Sequence, residues 1–400
     1  MFELSYNSNI TLKGGNNMIE EPLVATVMLF ALLALGEVIS IYSKARIPML
    51  MTAMIGYLLL TWTGVFPENI LELSTLPALG ALLIGPLIIH MGTLMPLSIL
   101  KKQWRAVVIS ISGLIGALVL VLLIVPLVFD FETAASGVGP ISGGVVALLI
   151  TTEKLTELGL TALIVVPVLI AAFQTPIGMP LISFFLKRYA GHFVSTTEAT
   201  EEEIESQKEE EVPVRFNLLK NNVILLFTVF VLAAAATVLS EWTGVHFTLF
   251  CLLFGILMLN GRLFPEGVLE KSNSFSFMMV ALIFVIIGTM GGITPQDVVN
   301  NVPAVLLILI CGVGGLAAGG FIASKAVGWH PFKGMPIALT ALVGFPGDYI
   351  ICEEVSRSTT DNQIDQTRVF NEIVTPMLIG GFVTVTVASI VVASFVMGML

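Results

Sequence analysis

Charge is scarce in this chain. Only 12% of its 400 residues are Asp, Glu, Lys or Arg, against roughly a quarter in soluble domains, while 56% are hydrophobic. With a mean hydropathy of +0.97, 400 residues that would make two or three soluble domains instead read as one all-α integral membrane bundle. Cysteine is nearly absent too. Cys251, Cys311 and Cys352 are far apart, with no C-x-x-C and no Cys/His cluster, so neither a disulfide framework nor a zinc site is expected. No G-x-x-x-x-G-K-[ST] loop is present, so ATP does not supply energy within this chain. No nucleophile elbow or metal-ligand spacing appears, so an enzyme is not expected, nor is a cofactor. No basic patch exists to meet nucleic acid. The net charge of −10 comes largely from the amino terminus and an acidic run at 198–212, a solvated linker in composition. The first seventeen residues lack the basic start and apolar run of a signal peptide. Lys13-Gly14-Gly15 is compatible with a purine-rich ribosome-binding sequence in the coding strand, so translation is expected to begin at Met18 and the source to be bacterial.

The chain does have a repeat. F-P-E-N-I-L-E-L-S at Phe66–Ser74 returns as F-P-E-G-V-L-E-K-S at Phe264–Ser272, six of nine positions identical at an offset of 198. Glu153 matches Glu353, and Thr175-Pro176 matches Thr375-Pro376, at an offset of 200. Gly92-Thr93 and Gly288-Thr289 match at 196. Ordered matches of this kind between two halves of a membrane protein are the signature of a secondary transporter, whose pseudo-symmetric halves alternate access.

A membrane span takes about 20 mostly apolar residues. Ten segments qualify or nearly so, at 22–43, 47–65, 76–98, 107–129, 159–186, 221–240, 245–260, 275–293, 302–324 and 373–399. Two more, near 137–156 and 334–356, are apolar for only about a dozen residues and carry glycine, proline and carboxylates, which suits re-entrant elements. Lysine and arginine mark cytoplasmic loops. If both short segments are hairpins, Lys44, Arg46, Lys101, Lys102, Arg105, Arg262, Lys271, Lys325, Lys333, Arg357 and Arg368 all fall inside. The loops at 66–74, 130–136, 241–244 and 294–301 carry none and fall outside. Five crossings per half is odd, so the second half is expected upside down relative to the first. The predicted organisation is an extracytoplasmic segment at 1–21, a first inverted repeat at 22–186, an acidic cytoplasmic linker at 187–220 and a second repeat at 221–400, each repeat holding five spans and one hairpin. Both termini are expected outside a bacterial cytoplasmic membrane.

The hairpins hold the candidate site. In the first, Ser142-Gly143-Gly144 combines a glycine turn with a following helix start, whose partial positive charge suits an anionic group. The alternative is that small residues merely allow close helix packing. In the second, G-F-P-G-D (Gly344 to Asp348) has the composition of a hairpin tip and carries a carboxylate, a functional candidate by default at such a depth. Its expected partner is a sodium ion or a proton; the alternative is a cap on the next helix. The Thr-Pro pairs sit inside long spans, where proline frees a carbonyl and kinks the helix. Gln174, Thr175, Asn371, Glu372 and Thr375 are therefore candidates for substrate or cation contact, with Gly344 and Gly347 at the tip and Pro176 and Pro376 shaping the helices. The alternative for these pairs is a structural kink with the threonine bonded back to its own helix. Glu153 and Glu353 are either paired gates or solvated helix ends. His90 either relays protons or hydrogen-bonds across a helix contact, and Glu37 lies close enough to a helix end to reach water.

On these residues the chain resembles inverted-repeat secondary transporters of the glutamate:sodium symporter family, with their 2-hydroxycarboxylate and cation/proton antiporter relatives. The segments K-A-R-I-P-M-L-M-T-A-M-I-G-Y-L-L-L-T-W-T-G and L-G-A-L-L-I-G-P-L-I-I-H-M-G-T-L-M-P-L-S-I-L-K-K-Q-W look like the matching antiporter spans. The resemblance implies an elevator mechanism, sodium coupling and a homodimer. The glycine-rich hairpin motif with histidine of glutamate carriers is absent, and G-P-I-S-G-G and G-F-P-G-D stand in its place. The expected function is therefore sodium- or proton-coupled transport of a small organic anion, a carboxylate or amino acid. The alternatives are a monovalent cation/proton antiporter and, with less in its favour, a non-transporting membrane sensor.

Overall fold

A computed structural model of the chain describes residues 21–94, 103–196, 219, 221–243 and 247–400. The expected start at Met18 and the acidic run at 198–212 lie outside the described residues. Every described element is helical, and among the described residues there is no strand. In a medium without water a helix satisfies its backbone groups within itself, so long apolar runs adopt this form.

The elements are α1 (Pro22–Ser43), α2 (Met49–Trp62), α3 (Ile70–Ser74), α4 (Leu76–Thr93), α5 (Trp104–Ile124), α6 (Phe131–Ile141), α7 (Val145–Glu157) and α8 (Val165–Thr196). They are followed by α9 (Asn222–Thr243), α10 (Phe247–Asn260), α11 (Val268–Lys271), α12 (Phe275–Gly288), α13 (Pro295–Ala326), α14 (Pro331–Leu339), α15 (Gly347–Thr359), α16 (Gln363–Phe382) and α17 (Ser389–Met397). A 3-10 turn at Thr340–Leu342 follows α14, and a π-helical segment at Val383–Ala388 joins α16 to α17. Seven helical stretches are long and apolar enough to cross a membrane, and α2, α10 and α12 are shorter apolar helices at three further expected spans. The protein is thus an all-α membrane protein by the length and composition of its helices. Its outer surface agrees: Leu23, Val27 and Tyr42 on α1, and Val223, Phe227 and Trp242 on α9, are exposed, an apolar exposure that water does not tolerate over such an area.

Several boundaries differ from expectation, since the loops expected at 66–74, 130–136 and 294–301 hold α3, the start of α6 and the start of α13. The helix expected to end at 186 continues as α8 to Thr196, so residues 187–196 belong to a helix and not to a linker. Tyr189 and Ala190 are buried there, and this packing extends the helix past the end of its apolar run.

The helices fall into two groups by their contacts. One comprises α1–α4 with α9–α12, in which α4 packs on both α10 and α12. The other comprises α5–α8 with α13–α17 and is built around the crossing of α5 and α13. Glycine makes both crossings close. A Cβ on Gly315 would fall 2.4 Å from the Gly116 carbonyl oxygen, and one on Gly255 would fall 2.1 Å from that of Ile89. Close backbone approach through small residues is how helices gain contact in lipid, where burial of apolar surface drives nothing.

Candidate functional site

Helix α6 ends at Ile141 and α7 begins at Val145, so the turn between them is Ser142-Gly143-Gly144. Both glycines have positive φ, +91° and +86°, which side chains rarely adopt. The space also demands glycine. A Cβ on Gly143 would lie 2.5 Å from the Ala341 carbonyl oxygen, and one on Gly144 would lie 2.3 Å from that of Val385. The first turn therefore abuts the break between α14 and α15 and the π segment after α16. The Ser142 hydroxyl donates to the Gly139 carbonyl at 2.6 Å.

The second break runs from Thr340 to Pro346. Gly344 has φ +63° and its carbonyl accepts the Asp348 N–H at 3.0 Å. Asp348 is fully buried in the first turn of α15. Its Oδ1 accepts the Tyr349 N–H at 2.8 Å, while Oδ2 has no hydrogen-bond partner among the described residues. One oxygen thus bonds an N–H of the first turn and the other is uncommitted. A Cβ on Gly381 of α16 would fall 2.3 Å from that Oδ2, so only glycine there leaves the carboxylate its place. Gly347 sits buried under Val343 at the start of the same helix.

Both prolines of the Thr-Pro pairs lie inside helices, Pro176 in α8 and Pro376 in α16. Thr175 does not bond back to its own helix. Its hydroxyl donates to the Leu342 carbonyl at 3.0 Å, tying α8 to the second break. Gln174 is buried beside it, with Oε1 lacking a partner among the described residues. Thr375 is buried on α16. The stretch 341–344 is therefore the meeting place of Gly143, Thr175 and Asp348.

Other expected residues lie elsewhere. Asn371 is exposed on α16. Glu372 is committed to the Lys333 ammonium and to the Tyr189 hydroxyl, which donates to it at 2.7 Å. Glu153 and Glu353 are both exposed; the carboxylate turned inward is that of Glu354, only 3% exposed. Helical phase separates the two neighbours by about 100° around α15, which the motif match at Glu353 does not register. His90 follows its structural reading. Its Nδ1 accepts the Leu269 N–H at 3.2 Å, and the Thr93 hydroxyl accepts that of Val268 at 3.2 Å. These side chains of α4 serve as acceptors for the start of α11, whose preceding residue Gly267 has no side chain to do so. Glu270 of α11, outside the long spans and half exposed at its side chain, has its carboxyl pushed above the usual range by partial desolvation first, then by Glu266 and Glu353. Glu37 pairs with Arg357 at 2.6 Å.

Sequence reasoning missed the π segment and Gly380-Gly381. The run V-T-V-T-V-A was a signal, because consecutive β-branched residues fit an α-helix poorly. No protein-family model matches this chain, and no curated protein matches it at a significant level.

Proposed function

We propose that the chain is a secondary active transporter of a small organic anion, built of two inverted halves and coupled to a monovalent cation at Asp348. The observation that carries this reading is the Asp348 carboxylate: fully buried, with Oδ2 unpartnered, at a helix break that meets the glycine turn of a second break. A buried carboxylate oxygen without a donor is costly, and a cation or proton that visits it gains that cost back. The N–H groups at the start of α7, which a helix leaves without partners of its own, suit an anionic solute. Helix breaks facing one another between two halves are where transporters place substrate and ion.

Element order supports the repeat. Helices α1 to α8 begin at 22, 49, 70, 76, 104, 131, 145 and 165, and α9 to α16 at 222, 247, 268, 275, 295, 331, 347 and 363. Contacts between the halves support inversion, because they join ends that the lysines and arginines assign to one side. The Trp62 indole donates to the Ile293 carbonyl, and Glu354 accepts the Met49 N–H. The division into two helix groups supports an elevator, in which α5–α8 and α13–α17 carry the site past α1–α4 and α9–α12.

Uptake into proteoliposomes tests this reading. A gradient of sodium or protons is expected to drive accumulation of a carboxylate or amino acid, and Asp348→Asn is expected to abolish the ion dependence while the protein still folds and inserts. Unchanged ion dependence in Asp348→Asn defeats the assignment. The Asp348 carboxylate also fits a monovalent cation/proton antiporter, and exchange of sodium for protons with no organic solute taken up selects that reading instead.

A further inference from the structure

Three polar bonds cross the seam between the two helix groups at one end of the molecule. Glu354 of α15 reaches α2, where its Oε1 accepts the Met49 N–H at 2.9 Å. Pro48, the residue before α2, makes no side-chain cap, so a carboxylate from the opposite group serves the positive end of this helix. Arg357, one turn on, pairs with Glu37 of α1 at 2.6 Å. The Ser183 hydroxyl of α8 donates to the Ala45 carbonyl at 2.5 Å. Beside these bonds lies a cavity of about 370 Å³, lined by Ser40 and Ile41 of α1, by Lys44 just after it, and by Glu354, Arg357 and Ser358 across the seam. Apolar contact in lipid discriminates little between one sliding position and another, whereas a charged acceptor on a particular N–H does.

We propose that Glu354, seconded by Arg357, is a latch that holds α5–α8 and α13–α17 against α1–α2 in this conformation, and that its release is a required step of the cycle. This rests on the transporter reading above. The latch is not the ion site: Asp348 lies six residues earlier, in the first turn of α15, whereas Glu354 belongs to the seam. A carboxylate bonded to a helix start is matched to one position of the two groups, because Met49 leaves it as soon as α15 slides.

The test pairs Ile41→Cys with Ser358→Cys, which line the cavity from opposite groups; Ile41 is exposed, whereas the three native cysteines are buried and stay in place. The double variant is expected to transport like the parent. Joining its thiols with a short, cleavable bifunctional reagent is expected to stop uptake, and cleavage to restore it. Adding Glu354→Ala is expected to slow the joining reaction about tenfold, as loss of a charge-assisted hydrogen bond predicts. Arg357→Ala, as a second variant at a half-exposed position, is expected to slow it less. Full uptake by the joined protein overturns the proposal, as does an unchanged joining rate in both Glu354→Ala and Arg357→Ala. Absence of uptake in the parent itself defeats the transporter reading instead, and the joining rates still decide whether the seam is latched by Glu354.

Discussion

Asp348 and Gly381 constrain each other. A methyl group on Gly381 would occupy a point 2.3 Å from Asp348 Oδ2, so Gly381→Ala must push the carboxylate or α16 aside at a cost of about 1–3 kcal/mol. The expected outcome is a folded protein whose uptake needs several-fold more of the coupling cation, measured as the half-saturating concentration; a parental value would separate Gly381 from the ion site. Glu270 offers a pH test. Its half-exposed folded-state carboxyl titrates above the ordinary value because of partial desolvation, Glu266 and Glu353, so its ionisation opposes the fold. Stability is therefore fullest at acidic pH and declines as pH rises through the raised value. Glu270→Gln is expected to melt at or above the parental temperature at pH 8, with the difference shrinking toward pH 5. A lower melting temperature at pH 8 would contradict this account.

Among the elements, the crossing of α5 and α13 places a strict demand on residue size. Gly315 has backbone on its open side, with the Gly116 carbonyl oxygen and Ala117 Cα each within 2.5 Å of a built Cβ. Backbone cannot rotate away as a side chain can. Gly315→Ala is expected to cost about 1–3 kcal/mol through overpacking. The adjacent Gly314 meets nothing within 4 Å, and Gly314→Ala is expected to be neutral or to stabilise by up to about 1 kcal/mol through helix propensity. Thermal unfolding of the two variants in one detergent checks the contrast, and equal losses would mean that the crossing is looser than drawn. The π segment at Val383–Ala388 belongs to this scale too. Its backbone receives Gly144, since a Cβ there would fall 2.3 Å from the Val385 carbonyl oxygen, and a bulge in a helix at such a meeting point is where function tends to sit.

For the molecule as a whole, sidedness is the property that lysines and arginines predict. A cysteine in place of Asp361 is expected to be shielded from an impermeant thiol reagent in intact cells, whereas one in place of Glu241 is expected to react. Both positions are exposed on the protein, so the membrane alone makes the difference. Reaction at Asp361 from outside would invert the topology and with it the placement of the Glu354 seam.

The chain's local pattern was sufficient for its long helices and for the breaks at 142–144 and 340–346. Apolar runs of membrane length announced α1, α4, α5, α8, α9, α13 and α16, and the glycine turn at 143–144 announced the start of α7, because backbone conformation and hydropathy are local properties. Proline inside α8 and α16 was legible for the same reason. The partners of these residues were not. Thr175 could equally have bonded to its own helix; only the approach of α8 to the break at 340–346 decided that it holds Leu342. His90 could have relayed protons, but the fold sets it against the start of α11. The exposure of Glu353 and burial of Glu354 depend on the rotation of α15 against α1 and α2, about 100° per residue, and Gly381 matters only because Asp348 faces it. Sequence records what each segment is in itself, while the phase of one helix against the next is a property of their packing.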